Sequence, residues 1–250
     1  MYVLVHGGGM TGRFWDRLLA HLDQPAIAVD LPGRAGRPGD LPTLTVDDEV
    51  ASVLADLAHL AEAAVVEPIT IVAHSSGGLV VPGVVTGLAR LGVPVERIVL
   101  SAALVPAEGG VGADCMQDRH REGLVAALAL AAESGDVITL PGAPDDPEPS
   151  RRAYGGEPLD DETLAYIVDP VRCVPDTVNH YFQPVSWAAL SDLPVTYVLN
   201  TKDRPVRPER QEDMAARLPG LVTIVRVDSG HLFPVTDPAA FAAIIAAAPR

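Results

Sequence analysis

The stretch Ile69-Thr-Ile-Val-Ala-His-Ser-Ser-Gly-Gly78 decides how this chain folds. A β-branched run ends at Ala73, Ser75 follows two positions later, and Gly77 lies two positions beyond the serine. Small residues on both sides of a serine, between a strand and a helix, are typical of a nucleophile elbow, a sharp turn that exposes the serine at its tip. Bulky side chains at the two flanking positions would collide across the turn. The pattern therefore predicts a nucleophilic serine at position 75.

The bulk composition limits the fold and the partners. With 250 residues, 48% of them hydrophobic, the chain is long enough for one large domain with a buried core. The net charge of −15 argues against nucleic acid as a partner and predicts repulsion of a highly anionic substrate. No apolar run reaches the roughly 18 residues of a membrane span, and no signal-peptide pattern is recognised, so no membrane partner is expected. The distant cysteines Cys115 and Cys173 predict free thiols and a cytoplasmic location.

Short runs rich in valine, isoleucine and leucine alternate with segments of helical character. Continuous apolar runs of this length are typical of strands buried on both faces of a parallel sheet. The alternation predicts a doubly wound, mostly parallel α/β sheet. The predicted strands are 2–5, 26–29, 69–73, 97–101, 195–199 and 223–227, and the predicted helices are 14–22, 47–64, 76–91, 207–218 and 238–248.

Residues 105–193 interrupt this alternation and form a stretch too long for a loop in a compact domain. A proline- and aspartate-rich loop is predicted at 141–149. We interpret the stretch as a helical cap inserted into a core formed by residues 1–104 and 194–250. The helices predicted inside the cap lie at 121–133, 161–168 and 176–182.

A serine hydroxyl becomes a good nucleophile when a base takes its proton and an acid orients that base. Asp203 and His231 each follow a predicted strand, so both reach the carboxyl edge of the sheet, where Ser75 also lies. This convergence predicts Ser75 as the nucleophile, His231 as the base and Asp203 as the acid. Glu108 and Asp114 are the alternatives for the acid, because they follow the strand that ends at position 101.

The negative charge that forms on the substrate oxygen needs hydrogen-bond donors. One predicted donor is the backbone N–H of Ser76, which opens the helix after the nucleophile. The second is the backbone N–H of Gly8 in the loop His6-Gly-Gly-Gly9, where glycine lets the backbone approach a substrate closely.

The same loop also fits a dinucleotide-binding pattern. Gly7-Gly-Gly-Met-Thr-Gly12 matches G-x-G-x-x-G between a strand and a helix, and Asp30 ends the next strand. Two observations weigh against a nucleotide. His6 is atypical before such a loop. A short-chain reductase would also require a lysine four residues after a tyrosine, and the one lysine of this chain, Lys202, does not follow any tyrosine at that spacing. The sequence thus predicts no cofactor, and no H-E-x-x-H motif or Cys/His cluster indicates a metal.

Four side chains of the predicted cap are candidates to bind the substrate, with packing inside the cap as the equal alternative for each. These candidates are Met116, His180, Tyr181 and Trp187.

Four stretches of the sequence resemble the α/β-hydrolase superfamily, whose nucleophile, acid and base occur in the chain order Ser, Asp, His. They are Val3-Leu-Val-His-Gly-Gly8, Phe14-Trp15, Asp30-Leu-Pro-Gly33 and Ala73-His-Ser-Ser-Gly-Gly78. The start at a His-Gly strand resembles the plant methylesterase and hydroxynitrile-lyase branch and its bacterial esterase relatives. This resemblance implies a six-stranded sheet and the hydrolysis of small esters.

The lyase members of that branch carry a threonine and a lysine where this chain has Gly7 and Leu232, so the resemblance favours esterase chemistry. The sequence hypothesis is a serine hydrolase that cleaves a small carboxylic ester through an acyl-enzyme on Ser75, with a lactone or a thioester left open as substrates. Two alternatives stay open, because a fold does not fix a function. One is a catalytically weak ligand-binding or receptor-like protein, and the other is a cofactor-free lyase or biosynthetic enzyme with the same triad. Whether the chain forms a homodimer also stays open.

Overall fold

A central parallel β-sheet organises the fold. The computed structural model describes residues 1–62, 67–135, 138–154 and 159–247 of the chain. The strands within these residues are β1 (Tyr2–Val5), β2 (Ala26–Ala28), β3 (Ile69–His74), β4 (Val95–Ser101), β5 (Thr139–Leu140), β6 (Asp176–Thr177), β7 (Pro194–Asn200) and β8 (Leu221–Val227).

The large sheet has the strand order β2-β1-β3-β4-β7-β8, and all of its neighbouring strands are parallel. The predicted doubly wound, six-stranded sheet is therefore confirmed. The strands β5 and β6 form a separate antiparallel pair.

Helices cover the sheet. They are α1 (Asp16–Leu19), α2 (Val46–Leu57), α3 (Val81–Leu91), α4 (Asp118–Ser134), α5 (Glu148–Tyr154), α6 (Asp161–Val168), α7 (Pro208–Ala215), α8 (Phe233–Thr236) and α9 (Pro238–Ala246). Short 3₁₀ helices lie at Gly12–Trp15, Ala58–Glu62, Ser75–Val80, Gly112–Cys115, Asn179–Phe182 and Ala188–Leu190. None of the described helices is both long and apolar enough to cross a membrane.

Two hydrophobic clusters lie on opposite faces of the sheet. Val3 and Val5 pack in one cluster with residues of α2 and α3. Tyr2 and Leu4 pack in the other with residues of α1 and α9. Because successive side chains of a strand point to opposite faces, both faces of β1 are buried. This double burial explains why the strands are continuous apolar runs rather than alternating ones.

The helix ends differ from the prediction where the chain tightens into 3₁₀ turns. The predicted helix 47–64 begins as α2, which starts with a capping box at Thr45 and Asp48, and continues as the 3₁₀ helix Ala58–Glu62. Residues 63 and 64 of this predicted helix, and residue 248 of the last one, lie outside the described residues.

The segment between β4 and β7 contains α4, α5, α6 and the pair β5–β6. The predicted helix 161–168 coincides with α6, and 121–133 lies within α4. The helix predicted over 176–182 is wrong, because Asp176–Thr177 form strand β6 and only Asn179–Phe182 turn, as a 3₁₀ helix.

The physical reason is the Asp176 side chain, which is fully buried and bonded to the backbone N–H of Gly9 and to Arg34. These contacts hold its backbone extended beside β5.

Candidate active site

Ser75 lies at the tip of the turn from β3 into the 3₁₀ helix Ser75–Val80. Its φ is 53°, in the left-handed region that residues with side chains rarely adopt. Gly77 packs against the end of β1, where a Cβ would overlap the carbonyl oxygen of His6 and lie 3.0 Å from that of Val5. The turn therefore requires glycine at position 77, and it holds the serine strained at the carboxyl edge of the sheet.

His231 bridges the other two side chains of the predicted site. Its Nε2 is 3.1 Å from Ser75 Oγ, and its Nδ1 is 2.7 Å from Asp203 Oδ2. The second carboxylate oxygen of Asp203 accepts the N–H of Val206 at 2.8 Å. Because the carboxylate accepts the Nδ1 proton, Nε2 is left to accept the proton of the serine hydroxyl. Three loops from distant parts of the sequence thus form one continuous hydrogen-bonded series.

The two alternative acids lie in other contacts. A carboxylate oxygen of Glu108 accepts the backbone N–H of Trp187 at 2.8 Å, and Asp114 pairs with Arg121 at 3.3 Å. The structure therefore brings Asp203, rather than either alternative, to the imidazole of His231.

His74 packs behind the hydrogen-bonded series. Its ring stacks on Phe14 with the ring centroids 4.8 Å apart, and its Nε2 lies 2.9 Å from the backbone oxygen of His231. Burial, with a further contribution from His231, holds the pKa of His74 well below its usual value. The neutral ring donates its Nε2 proton to that carbonyl and so fixes the backbone at position 231.

The glycine loop at 7–9 lies against the elbow. A Cβ on Gly7 would be 2.9 Å from Ser75 Cβ, and a Cβ on Gly8 would be 3.1 Å from Ser76 Oγ. Only residues without side chains let two segments approach so closely. The structure therefore packs the glycine loop against the elbow, with Gly7 beside Ser75 and Gly8 beside the Ser76 side chain.

Two cavities meet at Ser75. The larger, of about 770 Å³, has mainly apolar walls that include Met116 and Tyr181. The smaller, of about 280 Å³, is bordered by the loop 7–9 and by His231, and it shares Tyr181 with the larger one. Their sizes suit small molecules, since ligand sites typically measure about 300–1,000 Å³.

Two of the four cap candidates line neither cavity, so the substrate-binding prediction is corrected for them. His180 is 1% exposed, and its Nδ1 lies 3.1 Å from Glu49 Oε1. Trp187 is 2% exposed, and its indole N–H donates to the Pro106 oxygen at 2.9 Å. Both side chains serve packing, which was the alternative for each.

Tyr181, in contrast, lies at the centre of the site. Its hydroxyl is hydrogen-bonded to the Ser76 side chain, and burial, together with the Asp176 charge, raises the pKa of Tyr181 above its usual value. The hydroxyl therefore stays protonated beside Gly8.

A buried charged network lies behind the glycine loop, and the sequence analysis missed it. Arg34 is ion-paired with Asp176 and, at 3.2 Å, with Glu49. Burial opposes a charge on His180, but the adjacent Glu49 carboxylate raises the pKa of His180 above its usual value. The Arg34 guanidinium and the His180 ring thus both face the Glu49 carboxylate, and Arg34 also faces Asp176. One sequence signal was available: Glu49 shares the buried face of α2 with Val53 and Leu57, at intervals of four residues.

The buried network could serve either as a metal site or as a support for the glycine loop at 7–9. Glu49, Asp176 and His180 lie close enough together to bind a metal ion, but the Arg34 guanidinium already holds the cation position between the two carboxylates. Asp176 Oδ2 also accepts the backbone N–H of Gly9 at 2.6 Å. The arrangement therefore fits a support for the glycine loop better than a metal centre.

Comparisons with known proteins agree with this geometry. A family model described as the alpha/beta hydrolase family matches residues 2–244. No curated protein matches the sequence significantly.

Three solved structures are similar over nearly the whole chain. An extracellular alpha/beta-hydrolase from a Paenibacillus species has a TM-score of 0.78 and 17% identity, covering 100% of this chain and 98% of that one. A pyrethroid hydrolase from Sphingobium faniae has a TM-score of 0.71 and 18% identity, with coverages of 98% and 95%. A methylesterase from Arabidopsis has a TM-score of 0.66 and 19% identity, with coverages of 98% and 96%. At these identities the similarity shows a shared fold.

Proposed function

Because the chain belongs to the alpha/beta hydrolase family, we propose that it is a serine hydrolase that cleaves a carboxylic ester through an acyl-enzyme on Ser75. The observation that carries this proposal is the position of the His231 ring, 2.7 Å from Asp203 on one side and 3.1 Å from Ser75 on the other. A serine, a histidine and a carboxylate in this relation form the catalytic triad of acyl transfer.

In this mechanism Ser75 Oγ attacks the ester carbonyl while His231 Nε2 takes the serine proton. Asp203 stabilises the imidazolium that forms. The backbone N–H groups of Gly8 and Ser76 hold the oxyanion, and losing one such donor typically lowers kcat about 100- to 1000-fold. His231 returns the proton to the leaving alcohol. A water molecule, deprotonated by His231, then attacks the acyl-enzyme, releasing the carboxylic acid and restoring Ser75.

The two cavities suggest how an ester is placed. A carbonyl at Ser75 puts one portion of the ester in the large cavity of about 770 Å³ and the other in the cavity of about 280 Å³. The proposed substrate is therefore a small-molecule ester with one compact side and one larger apolar side. A lactone or a thioester presents the same carbonyl chemistry.

The proposal includes the division of the chain and its location. Residues 105–193 act as the cap over the site, and residues 1–104 and 194–250 form the hydrolase core. A cytoplasmic location is supported by the free thiols of Cys115 and Cys173.

The lyase alternative is disfavoured by packing at position 7. The scheme of the lyases that the sequence resembles uses a threonine there, whereas a Cβ on Gly7 would lie 2.9 Å from Ser75 Cβ. A threonine does not fit this site without moving the nucleophile.

A fluorophosphonate probe tests the proposal directly. It should label wild-type protein on Ser75 and leave Ser75→Ala unlabelled, while His231→Ala should lose nearly all hydrolysis of p-nitrophenyl acetate and remain folded by circular dichroism. Ser191→Ala, at an exposed serine outside the site, is the matched control and should be labelled like wild type. An unlabelled wild type would overturn the proposal. Labelling without turnover on any ester would favour the ligand-binding alternative.

A further inference from the structure

Three arginines border the large cavity above Ser75. Arg119 lies in α4, Arg152 in α5, and Arg204 in the loop after β7. All three are exposed, and the Arg204 guanidinium donates to the backbone oxygen of Arg152 at 3.2 Å. Segments from three parts of the chain thus bring their cations to one opening, which we call the arginine rim.

Among the residues that the structure describes, no carboxylate forms an ion pair with the arginine rim. The residues described around the cavity include no aspartate or glutamate. None of the three arginines forms an ion pair within the described part of the chain, although their sequence neighbours do. Arg121 pairs with Asp114 at 3.3 Å, and Arg151 pairs with Glu148 at 3.1 Å.

This lack of pairing is informative in a chain with 33 acidic and 18 basic residues. Three arginines without an ion pair among the described residues, gathered at one cavity, concentrate positive charge there against the negative net charge of the chain. His120 also borders the cavity. Burial and the nearby Arg119 lower the pKa of His120, so near neutral pH it supplies a hydrogen-bonding group rather than a fourth charge.

We infer that the arginine rim binds an anionic group, a carboxylate or a phosphate, at the far end of an apolar chain whose ester carbonyl lies at Ser75. The inference rests on the proposed function and narrows its substrate class. Apolar side chains, Leu124 and Leu140 among them, line the same cavity, and they match the chain. Guanidinium groups bind carboxylates and phosphates through paired hydrogen bonds. The acidic surface repels anions in general, and the arginine rim reverses that repulsion at the site itself.

The test uses matched pairs of esters. The mono-p-nitrophenyl esters of glutaric, adipic and suberic acid carry a terminal carboxylate, and their methyl-capped counterparts have the same chain without the charge. The wild type should prefer at least one charged ester over its capped partner by about tenfold or more in kcat/KM, a modest factor because exposed charges are screened. The preference should fall as salt is raised to about 0.5 M.

Two variants with the same change in charge separate a local effect from a general one. Arg119→Gln/Arg152→Gln/Arg204→Gln should lose the preference, so that its ratio of kcat/KM on each charged ester to kcat/KM on the capped partner falls to about one, whatever its absolute rates. Arg90→Gln/Arg207→Gln/Arg217→Gln changes three exposed arginines that do not line the cavity and should keep the preference.

Binding measured without turnover completes the test. Calorimetry with Ser75→Ala should show tighter binding of octanoate or octyl phosphate than of octanol, and the tighter of the two anions identifies the group. Equal kcat/KM on charged and capped esters, with equal binding of the three ligands, would overturn the inference while probe labelling of Ser75 leaves the proposed function standing. If neither probe nor ester reacts, the proposed function fails, and the calorimetric comparison alone decides whether the rim binds anions.

Discussion

Replacing Gly8 with alanine tests the proposed oxyanion site at a closely packed position. The new Cβ would overlap the Tyr181 hydroxyl and lie 3.0 Å from Asp176 Oδ2 and 3.1 Å from Ser76 Oγ. Ordinary contacts begin at 3.4 Å, so the two carboxylate and serine contacts require a movement of a few tenths of an ångström, and the overlap with the Tyr181 hydroxyl requires a larger one. Asp176 is 0% and Tyr181 6% exposed, and close-packed groups have little room to give. The movement therefore falls on the backbone at position 8.

The expected loss follows from the geometry that an oxyanion requires. Donors act at about 2.7–3.1 Å from the developing oxyanion, so a displaced Gly8 N–H no longer reaches it. The loss of one donor costs about 2.7–4 kcal/mol, or about 100- to 1000-fold in kcat. KM should change little, because this contact is made mainly in the transition state. Steady-state hydrolysis of p-nitrophenyl acetate measures both constants, and thermal denaturation checks that the variant folds.

A second substitution separates the clash from a general disturbance. Tyr181→Phe removes the hydroxyl that the new Cβ overlaps, so the double variant Gly8→Ala/Tyr181→Phe should recover about tenfold or more of the kcat that Gly8→Ala loses. Tyr181→Phe alone serves as the reference for the missing hydroxyl. The reasoning is refuted if Gly8→Ala stays within about threefold of wild type, or if the double variant is no faster than Gly8→Ala.

Three further predictions concern the acid, the buried network and the pH dependence of stability. Asp203→Asn should lower kcat by about 10⁴-fold with the fold intact, because the amide favours the wrong imidazole tautomer. Steady-state kinetics measures kcat, and circular dichroism checks the fold. A loss of kcat below about tenfold would count against Asp203 as the acid. Arg34→Met should lower the free energy of unfolding by about 3–5 kcal/mol in urea, because it leaves the buried Asp176 carboxylate without its cation. An unchanged midpoint would contradict this. Burial, with the charge of Arg34 adding to it, lowers the pKa of His6 from 6.5 to about 3. As the pH falls below 6.5, the unfolded chain therefore binds a proton at His6 that the folded protein does not bind. The stability that the folded protein has while His6 is neutral in both states is fully present above pH 6.5, and it is lost as the pH falls towards 3. Between pH 7 and 4.5 this loss of stability amounts to about 2–3 kcal/mol, which His6→Gln should remove from the pH dependence measured by urea unfolding.

The parts of the site that the sequence predicts are those that local rules determine. Ser75 is set by the small residues of its own turn, and Asp203 and His231 each follow a buried strand. Parallel strands bring their carboxyl ends to one edge, so no knowledge of the loops was needed to expect the three to meet. The strand ends moved by at most two residues between prediction and structure, because buried β-branched runs mark strands well.

The network behind the glycine loop follows from tertiary contacts that no short pattern encodes. Arg34, Glu49 and Asp176 are far apart in sequence, and each looks like a surface residue by its type. The sequence predicts that Asp176 begins a helix over 176–182. Its carboxylate is instead buried and bonded across the fold to Gly9 at 2.6 Å, which local propensity does not anticipate.

The charges of this network are better explained by the position of the glycine loop than by stability. Removing four ionisable groups from water is costly, and buried ion pairs add little net stability over apolar packing of the same volume. A carboxylate, however, accepts several hydrogen bonds at once, and Asp176 uses this capacity to join the Gly9 N–H to the Arg34 guanidinium. Tyr181 follows His180 in the same segment, and its hydroxyl lies where a Cβ on residue 8 would be. The segment inserted between β4 and β7 thus supports the glycine loop on one side as well as lining the cavity at Ser75.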